Sequence, residues 1–180
     1  HEQTALSLYK KESLPDLFSF NEPTDFQSWL VVNDGVMGGL SSSQFIPGET
    51  GVARYCGEVS LENNGGFASV RTMPREFGLS EERGILLRVK GDGRTYQFRL
   101  RTSARFDGIA YRQAFLPAKD EWMEIRLPFS DFEPVFRGRI LSGVGKIEPA
   151  QIRQLGFLIA DKQAGDFCLE IDWIKTYQDN

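Results

Sequence analysis

The chain has 180 residues, 41% of them hydrophobic, 14 phenylalanines and a formal net charge of -4. That length suits one domain with a sizeable core, the aromatic content argues against disorder, no run approaches the roughly 20 apolar residues of a membrane helix, and a mildly acidic balance gives no general attraction to nucleic acid. The one histidine is His1, at a terminus, so Ser-His-Asp or Cys-His catalysis, a His-ligated zinc and a His proton shuttle all lack the imidazole they need inside a fold.

Residues 1–15 mix Lys, Glu and Ser with scattered apolar side chains and read as a short N-terminal arm; residues 16–180 read as a single domain. From Leu17 onward the chain breaks into short apolar-rich runs separated by Gly, Asn, Asp and Pro, the spacing of an all-β sandwich or barrel. The predicted strands are residues 17–20, 29–33, 43–46, 52–60, 67–72, 84–90, 95–102, 110–116, 122–127, 154–160 and 167–176. In 95–102, Tyr96, Phe98 and Leu100 alternate with Gln97, Arg99 and Arg101. In 122–127, Met123, Ile125 and Leu127 alternate with Glu124 and Arg126. In 167–176, Phe167, Leu169, Ile171 and Trp173 alternate with Glu170 and Asp172. Period two with one apolar side predicts antiparallel sheets, buried on one face and wetter on the other. Asn63-Asn64-Gly65-Gly66 and Gly91-Asp92-Gly93 predict tight hairpins, because Gly and Asn tolerate positive φ. Residues 129–150, punctuated by Pro134, read as irregular, with a helical turn near 149–153.

The chemistry-bearing candidates are few. Cys56 and Cys168 form no C-x-x-C pattern, so a structural zinc site has no support, and whether they pair is a matter of geometry. They read as two buried free thiols, which fits a reducing compartment; with no signal-peptide pattern at the start, a cytoplasmic location is expected. Gly143-Val144-Gly145-Lys146 resembles the end of a phosphate-binding loop, but Ile140 and Ile147 stand where Gly and Ser or Thr are required. No cofactor, no metal and no catalytic set is therefore expected. Glu170 and Asp172, two apart on one strand, put two carboxylates on one side roughly 7 Å apart, within the range of a glycosidase pair; a solvated face with ion pairs to Arg or Lys is the simpler reading.

Two features suit binding. Arg71, Arg88, Gln97, Arg99, Arg101 and Gln113 fall on middle strands. Side by side they would make a face of guanidinium and amide donors, suited to hydroxyls, carboxylates or a partner's backbone. Parity sets Tyr111 beside Gln113 and Phe115, leaving its side open. The run 29–41 holds three glycines in five positions (Gly35, Gly38, Gly39). A rigid loop there would present Asn33, Asp34 and backbone amides to a ligand, with Met37 filling a gap in the core.

Residues 29–41 (WLVVNDGVMGGLS), 57–71 (GEVSLENNGGFASVR), 91–100 (GDGRTYQFRL) and 127–139 (LPFSDFEPVFRGR) resemble the complex I intermediate-associated protein 30 family. So does 155–177, with its GFLIADKQ and FCLEIDWIKTY runs. The resemblance implies an antiparallel, galactose-binding-like jelly-roll β-sandwich and an assembly factor with no accepted catalytic residues, here in a short stand-alone bacterial-type form. The expected function is that of a non-enzymatic binding protein for a protein partner such as a respiratory-complex intermediate. Asn33, Asp34, Arg71, Gln97, Arg99, Arg101 and Gln113 are its expected binding residues. A sugar-binding module is the alternative reading, and a carboxylate-based glycoside hydrolase a third.

Overall fold

Strand alternation sorts the chain into two antiparallel sheets in a computed structural model that describes residues 16–178. The expected arm at 1–15 lies outside the described residues. In chain order the strands are β1 (Trp29–Val31), β2 (Ser42–Pro47), β3 (Ala53–Val59), β4 (Ala68–Thr72), β5 (Gly84–Lys90), β6 (Tyr96–Arg101), β7 (Ala110–Phe115), β8 (Trp122–Pro128), β9 (Glu133–Phe136), β10 (Arg139–Ile140), β11 (Gln154–Ile159) and β12 (Gly165–Tyr177). One sheet runs β1-β4-β11-β6-β7-β9-β10 and the other β2-β3-β12-β5-β8. These are the antiparallel sheets expected from the alternation, in the jelly-roll sandwich that the family resemblance implies. A one-turn helix, α1 (Thr24–Gln27), precedes β1.

Several local expectations give way to this topology. Residues 17–20 form no strand; Phe18 makes only a bridge to Ile174. Residues 129–150 are less irregular than they read, since β9 pairs with β7 and β10 with β9. Neither predicted hairpin is one. Residues 60–67 join β3 to β4 and residues 91–95 join β5 to β6, and in each case the two strands lie in different sheets. The positive-φ residues Asn63, Asn64, Gly66 and Gly93 thus serve crossovers between layers. In β12 the register shifts between Ile171 and Trp173. That bulge reverses the alternation, so Ile174 and Thr176 are buried while Trp173 turns outward, against its expected place beside Ile171.

Cys56 and Cys168 are opposed in register on β3 and β12 and are joined as a disulfide. This corrects the free-thiol reading. Neither cysteine is in the core: both project, half-buried, from the outer side of the sheet, between the inward Tyr55 and Leu169 neighbours. The bonded pair also removes the support that free thiols gave to a cytoplasmic location.

The core is built largely from aromatic rings. Trp29 on β1 stacks on Phe45 of β2 with centroids 4.7 Å apart and on Phe157 of β11 at 6.0 Å, so one indole ties the two layers together. Phe18 and Phe20 close the same end, with Phe18 5.1 Å from Trp29. Each ring of this size contributes about 1.5–3 kcal/mol by leaving water, with about 0.5–1.5 kcal/mol more for a well-oriented pair.

The crossover from β5 to β6 is held by charge. The Arg94 guanidinium pairs with both Asp161 oxygens, at 2.6 and 2.9 Å, and donates to the carbonyls of Gln163, Gly165 and Asp166. The pair is largely withdrawn from solvent, with side-chain exposures of 11% and 8%. The Arg94 hydrogen bond, together with its charge, holds the Asp161 carboxyl below its ordinary value against the opposing effect of burial. Asp92 in the same turn accepts from the Tyr96 hydroxyl and the Cys168 amide, fastening the crossover to β12. Arg94→Met strands a carboxylate and three carbonyls, so it is expected to cost about 3–5 kcal/mol in urea unfolding. Arg94→Met with Asp161→Leu should recover part of that loss; an unchanged midpoint in the single variant would show that the pair contributes nothing.

Candidate functional site

In an antiparallel sheet, directly opposed residues share a face. The register therefore sets a row across the outer side of the seven-stranded sheet: Leu30, Arg71, Gly156, Arg99, Arg112 and Glu133. A second row holds Gln154, Arg101 and Ala110, and a third Ser69, Leu158, Gln97 and Ala114. Arg71, Gln97, Arg99 and Arg101, expected on one polar face, are brought together there. Gln113 is not. It opposes Phe98, faces the core between Tyr111 and Phe115, and donates from Nε2 to the Pro128 carbonyl at 3.1 Å. Tyr111 points the same way, buried, its hydroxyl on the Gly145 carbonyl. Arg88 belongs to the other sheet. Arg112 was missed by sequence reasoning, although its parity with Ala110 and Ala114 is the signal that would have placed it.

The two outer faces differ in charge balance. On the five-stranded sheet, Glu170 is paired with Lys90 at 2.9 Å and Arg54 at 3.6 Å, and Asp172 with Arg88 at 3.0 Å. The two carboxylates considered for hydrolysis are thus each engaged by cations. On the seven-stranded sheet, Arg112 meets Glu133 at 3.6 Å, but Arg71, Arg99 and Arg101 have no ion pair within 4 Å among the described residues.

Their hydrogen bonds go to neutral acceptors. Arg99 donates from Nε and Nη2 to Gln97 Oε1, at 3.1 and 3.0 Å. Arg101 donates to the Gly108 carbonyl at 2.9 Å. Arg71 donates to the Phe106 carbonyl at 2.8 Å, with its guanidinium 4.0 Å from the centre of the Phe106 ring. Burial, with the like charges of Arg101 and Arg112, pushes Arg99 down to about 10. Burial and then Arg71 push Arg101 down to about 10, against the pull of Asp107. Burial also lowers Arg71, with Asp107 opposing. Asp107 itself pairs with Arg137 at 3.2 Å. All three arginines remain cations at neutral pH, crowded together and partly withdrawn from water.

Between Arg71 and Arg99 the row contains Gly156. A Cβ there would lie 2.6 Å from the Val70 carbonyl oxygen and 3.1 Å from Arg71 Cβ, so the position excludes any side chain. Gly156 is itself buried and Arg71, packed beside it, is only 9% exposed, so Arg99 and Arg101 are the more accessible of the three cations.

The glycine loop is differently organised from the expectation. Asp34 is fully buried and accepts from the Ser41 amide and hydroxyl (2.9 and 2.6 Å) and the Gly66 and Phe67 amides (2.7 and 3.2 Å). Asn33 Oδ1 accepts from the Ser43 hydroxyl at 2.8 Å and the Ser69 amide at 3.3 Å. Both residues therefore face inward and bind the loop to the β3–β4 crossover; neither is presented to a ligand. Gly39 and Gly65 are where a Cβ would collide with the Asp34 carboxylate, at 2.5 and 2.6 Å from its oxygens. What the loop presents is apolar: Val36, Met37 and Leu40 are 69%, 62% and 57% exposed. Met37, expected in the core, is at the surface.

No cluster of three or more His, Cys, Asp or Glu able to hold a metal exists among the described residues. No helix among them is long and apolar enough to cross a membrane.

The family model described as Complex I intermediate-associated protein 30 (CIA30) matches residues 18–171. The mitochondrial Complex I intermediate-associated protein 30 of Mus musculus is 27% identical over 91% of this chain and 56% of its own length. That of Drosophila melanogaster is 27% identical over 88% and 61%. The chain thus spans little more than half the length of these relatives. An uncharacterized Schizosaccharomyces pombe protein, 28% identical over 91% of this chain, is covered over 85% of its own length. Among solved structures, a family 11 carbohydrate-binding module from Clostridium thermocellum, in complex with a β-1,3-1,4-mixed-linked tetrasaccharide, matches with TM-score 0.66 and 19% identity, over 90% of this chain and 94% of that one. A likeness at that identity establishes a shared sandwich fold.

Two outcomes follow from the geometry. Burial disfavours the charged form of Asp34, but the Ser41 hydroxyl and the amides of Gly66, Ser41 and Phe67 outweigh it and hold the carboxyl below its ordinary value. A depressed folded value means stability that is present above the unfolded value of about 3.9 and lost as pH falls through the folded one. Asp34→Asn should cost about 2–4 kcal/mol at pH 7, and the gap from the parent should narrow in melts taken between pH 5 and pH 2. Arg99→Met should instead stabilise the protein, by about 0.5–2 kcal/mol, because it removes a half-buried charge crowded by two others. A loss in thermal unfolding would show that Arg99 serves the fold.

Proposed function

The chain belongs to the complex I intermediate-associated protein 30 family, and on that footing we propose that it is a binding protein that holds a protein partner, an assembly intermediate of a respiratory complex, against the outer face of its seven-stranded sheet. The observation that supports this reading is the contrast between the two outer faces. One is zipped by cross-strand ion pairs, as a solvated surface is. The other carries Arg71, Arg99 and Arg101 with no ion pair within 4 Å among the described residues, Asp107 acting on Arg71 and Arg101 only from farther off. Like charges crowded together and partly withdrawn from water cost stability, and functional sites are where such costs are retained. Arginine is also among the commonest interface anchors.

The glycine loop adds a second contact. The buried Asp34 carboxylate fixes the loop, so Val36, Met37 and Leu40 are exposed on a stiff support. An apolar surface held rigid before binding loses little conformational entropy on docking. The partner reading expected through Asn33 and Asp34 passes, in this proposal, to these apolar neighbours.

The sugar-binding reading has the fold in its favour and the surface against it. Sugar platforms rely on exposed rings for stacking, and β4, β11, β6 and β7 carry no outward aromatic residue. Phe106, 57% exposed nearby, has the Arg71 guanidinium over one face of its ring. A binding role needs no catalytic set, and the proposal assigns none.

Capture of partners from native membranes and extract after mild crosslinking tests the proposal. The parent protein is expected to retain subunits of a respiratory complex. Arg99→Glu with Arg101→Glu should reduce recovery about tenfold or more, and Val36→Asp with Met37→Asp should reduce it less. Equal recovery by the parent and the arginine variant would remove this face as the binding surface.

A further inference from the structure

The chemistry of the unpaired face defines what it takes. Arg71 and Arg99 stand on strands separated only by β11, so their backbones are two strand spacings apart, about 9.5 Å. Gly156 between them projects nothing, and Arg101 lies alongside Arg99 in the next row on the same strand. Arg99 has a free Nη1 edge among the described residues, both of its bonded nitrogens going to Gln97 Oε1. No carboxylate lies within 4 Å of the three guanidiniums among the described residues; Asp107, paired with Arg137, acts on Arg71 and Arg101 from farther away. The protein as a whole is acidic, with 25 Asp and Glu against 21 Lys and Arg, yet these three cations have no ion pair within 4 Å among the described residues.

We propose that Arg99 and Arg101, with the more buried Arg71 adding its charge beside them, form a receptor for carboxylates on an acidic segment of a protein partner. This deepens the partner-face reading and rests on it. Guanidinium forks bind carboxylates through two parallel N–H···O bonds. In an extended peptide, carboxylates at i and i+2 lie on one side roughly 6.5–7 Å apart, the same spacing as Arg99 and Arg101, which are two apart on β6. The motif read is therefore an acidic residue, any residue, then a second acidic residue. A phosphate group is a weaker match, since the sheet face offers no outward nest of backbone amides on which phosphate sites commonly depend. The mutual repulsion of the arginines and their lowered proton affinity agree with a face completed by negative charge from outside.

The test titrates hexaglutamate, hexaglutamine and inorganic phosphate into the intact protein by calorimetry, at low and at physiological salt. Hexaglutamate is expected to bind at least about tenfold more tightly than either other probe and to weaken as salt rises. Arg99→Gln with Arg101→Gln should lose about tenfold or more, while Arg88→Gln on the opposite face should bind as the parent does. Arg99→Lys with Arg101→Lys keeps the charge and should retain more affinity than the glutamine pair. Equal binding of hexaglutamine, tighter binding of phosphate, equal loss in Arg88→Gln, or equal loss in the lysine and glutamine pairs would each overturn the proposal. Its failure separates from that of the partner-face reading. If capture of a partner still depends on Arg99 and Arg101 while hexaglutamate does not bind, the face stands and its acidic ligand falls. If hexaglutamate binds but capture is indifferent to those arginines, the acidic site stands and its role in partner binding falls.

Discussion

The pleat of the β-strand is the constraint on which the rest depends. Each strand offers alternate residues to opposite sides, so burying an aromatic core between two sheets automatically exports the intervening residues to two outer faces. Trp29, stacked between Phe45 and Phe157, fixes how the layers meet. Once Phe98, Val70 and Phe157 are committed to the core, Arg99, Arg71 and Gly156 have no choice of side. The arginine row is thus a direct consequence of core register, and a slip of one residue in β6 would bury two guanidiniums and expose three apolar side chains.

How much of this could be read from sequence depended on whether the informative signal was local. β5 was legible from Gly84 to Lys90 because it is a short apolar-rich run that ends at the Gly91-Asp92-Gly93 turn. β6 placed Gln97, Arg99 and Arg101 correctly for the same reason. The failures are non-local. Gly91-Asp92-Gly93 has hairpin chemistry, but whether a turn closes a hairpin or crosses between layers depends on strand pairing far along the chain. Trp173 was misplaced by one inserted residue, because a bulge leaves almost no trace in the hydrophobic pattern. Gln113 was polar on a middle strand and was grouped with the arginines; its parity with Phe115 already argued otherwise, and the Pro128 carbonyl is what makes its burial tolerable. Cys56 and Cys168 stand 112 residues apart, and only the pairing of β3 with β12 brings them together.

The glycine loop shows why residue type alone misleads about role. Asn and Asp in a Gly-rich run are good ligand contacts in principle, yet the same acceptors satisfy backbone amides that a sharp turn leaves without partners. Here that second use wins. Asp34 collects donors from both sides of the loop, and Gly39 and Gly65 supply the space. The polar residues are consumed in making the loop rigid, and this is what allows Val36, Met37 and Leu40 to stay exposed without collapsing onto the core.

The two ways of handling charge in this molecule point in one direction. Where a cation serves the fold, it is surrounded: Arg94 has a carboxylate and three carbonyls, and Arg88 and Lys90 have Asp172 and Glu170. Sequence composition does not force any other outcome, since acidic residues outnumber basic ones. Leaving Arg71, Arg99 and Arg101 hydrogen-bonded to neutral acceptors, while Glu170, Asp172 and Asp161 are matched by cations, therefore carries a free-energy cost that the fold does not require. A second copy of this acidic chain could supply the missing charge only through an acidic patch of its own, whereas a partner segment with alternating carboxylates supplies it through the pleat geometry that arranged the arginines.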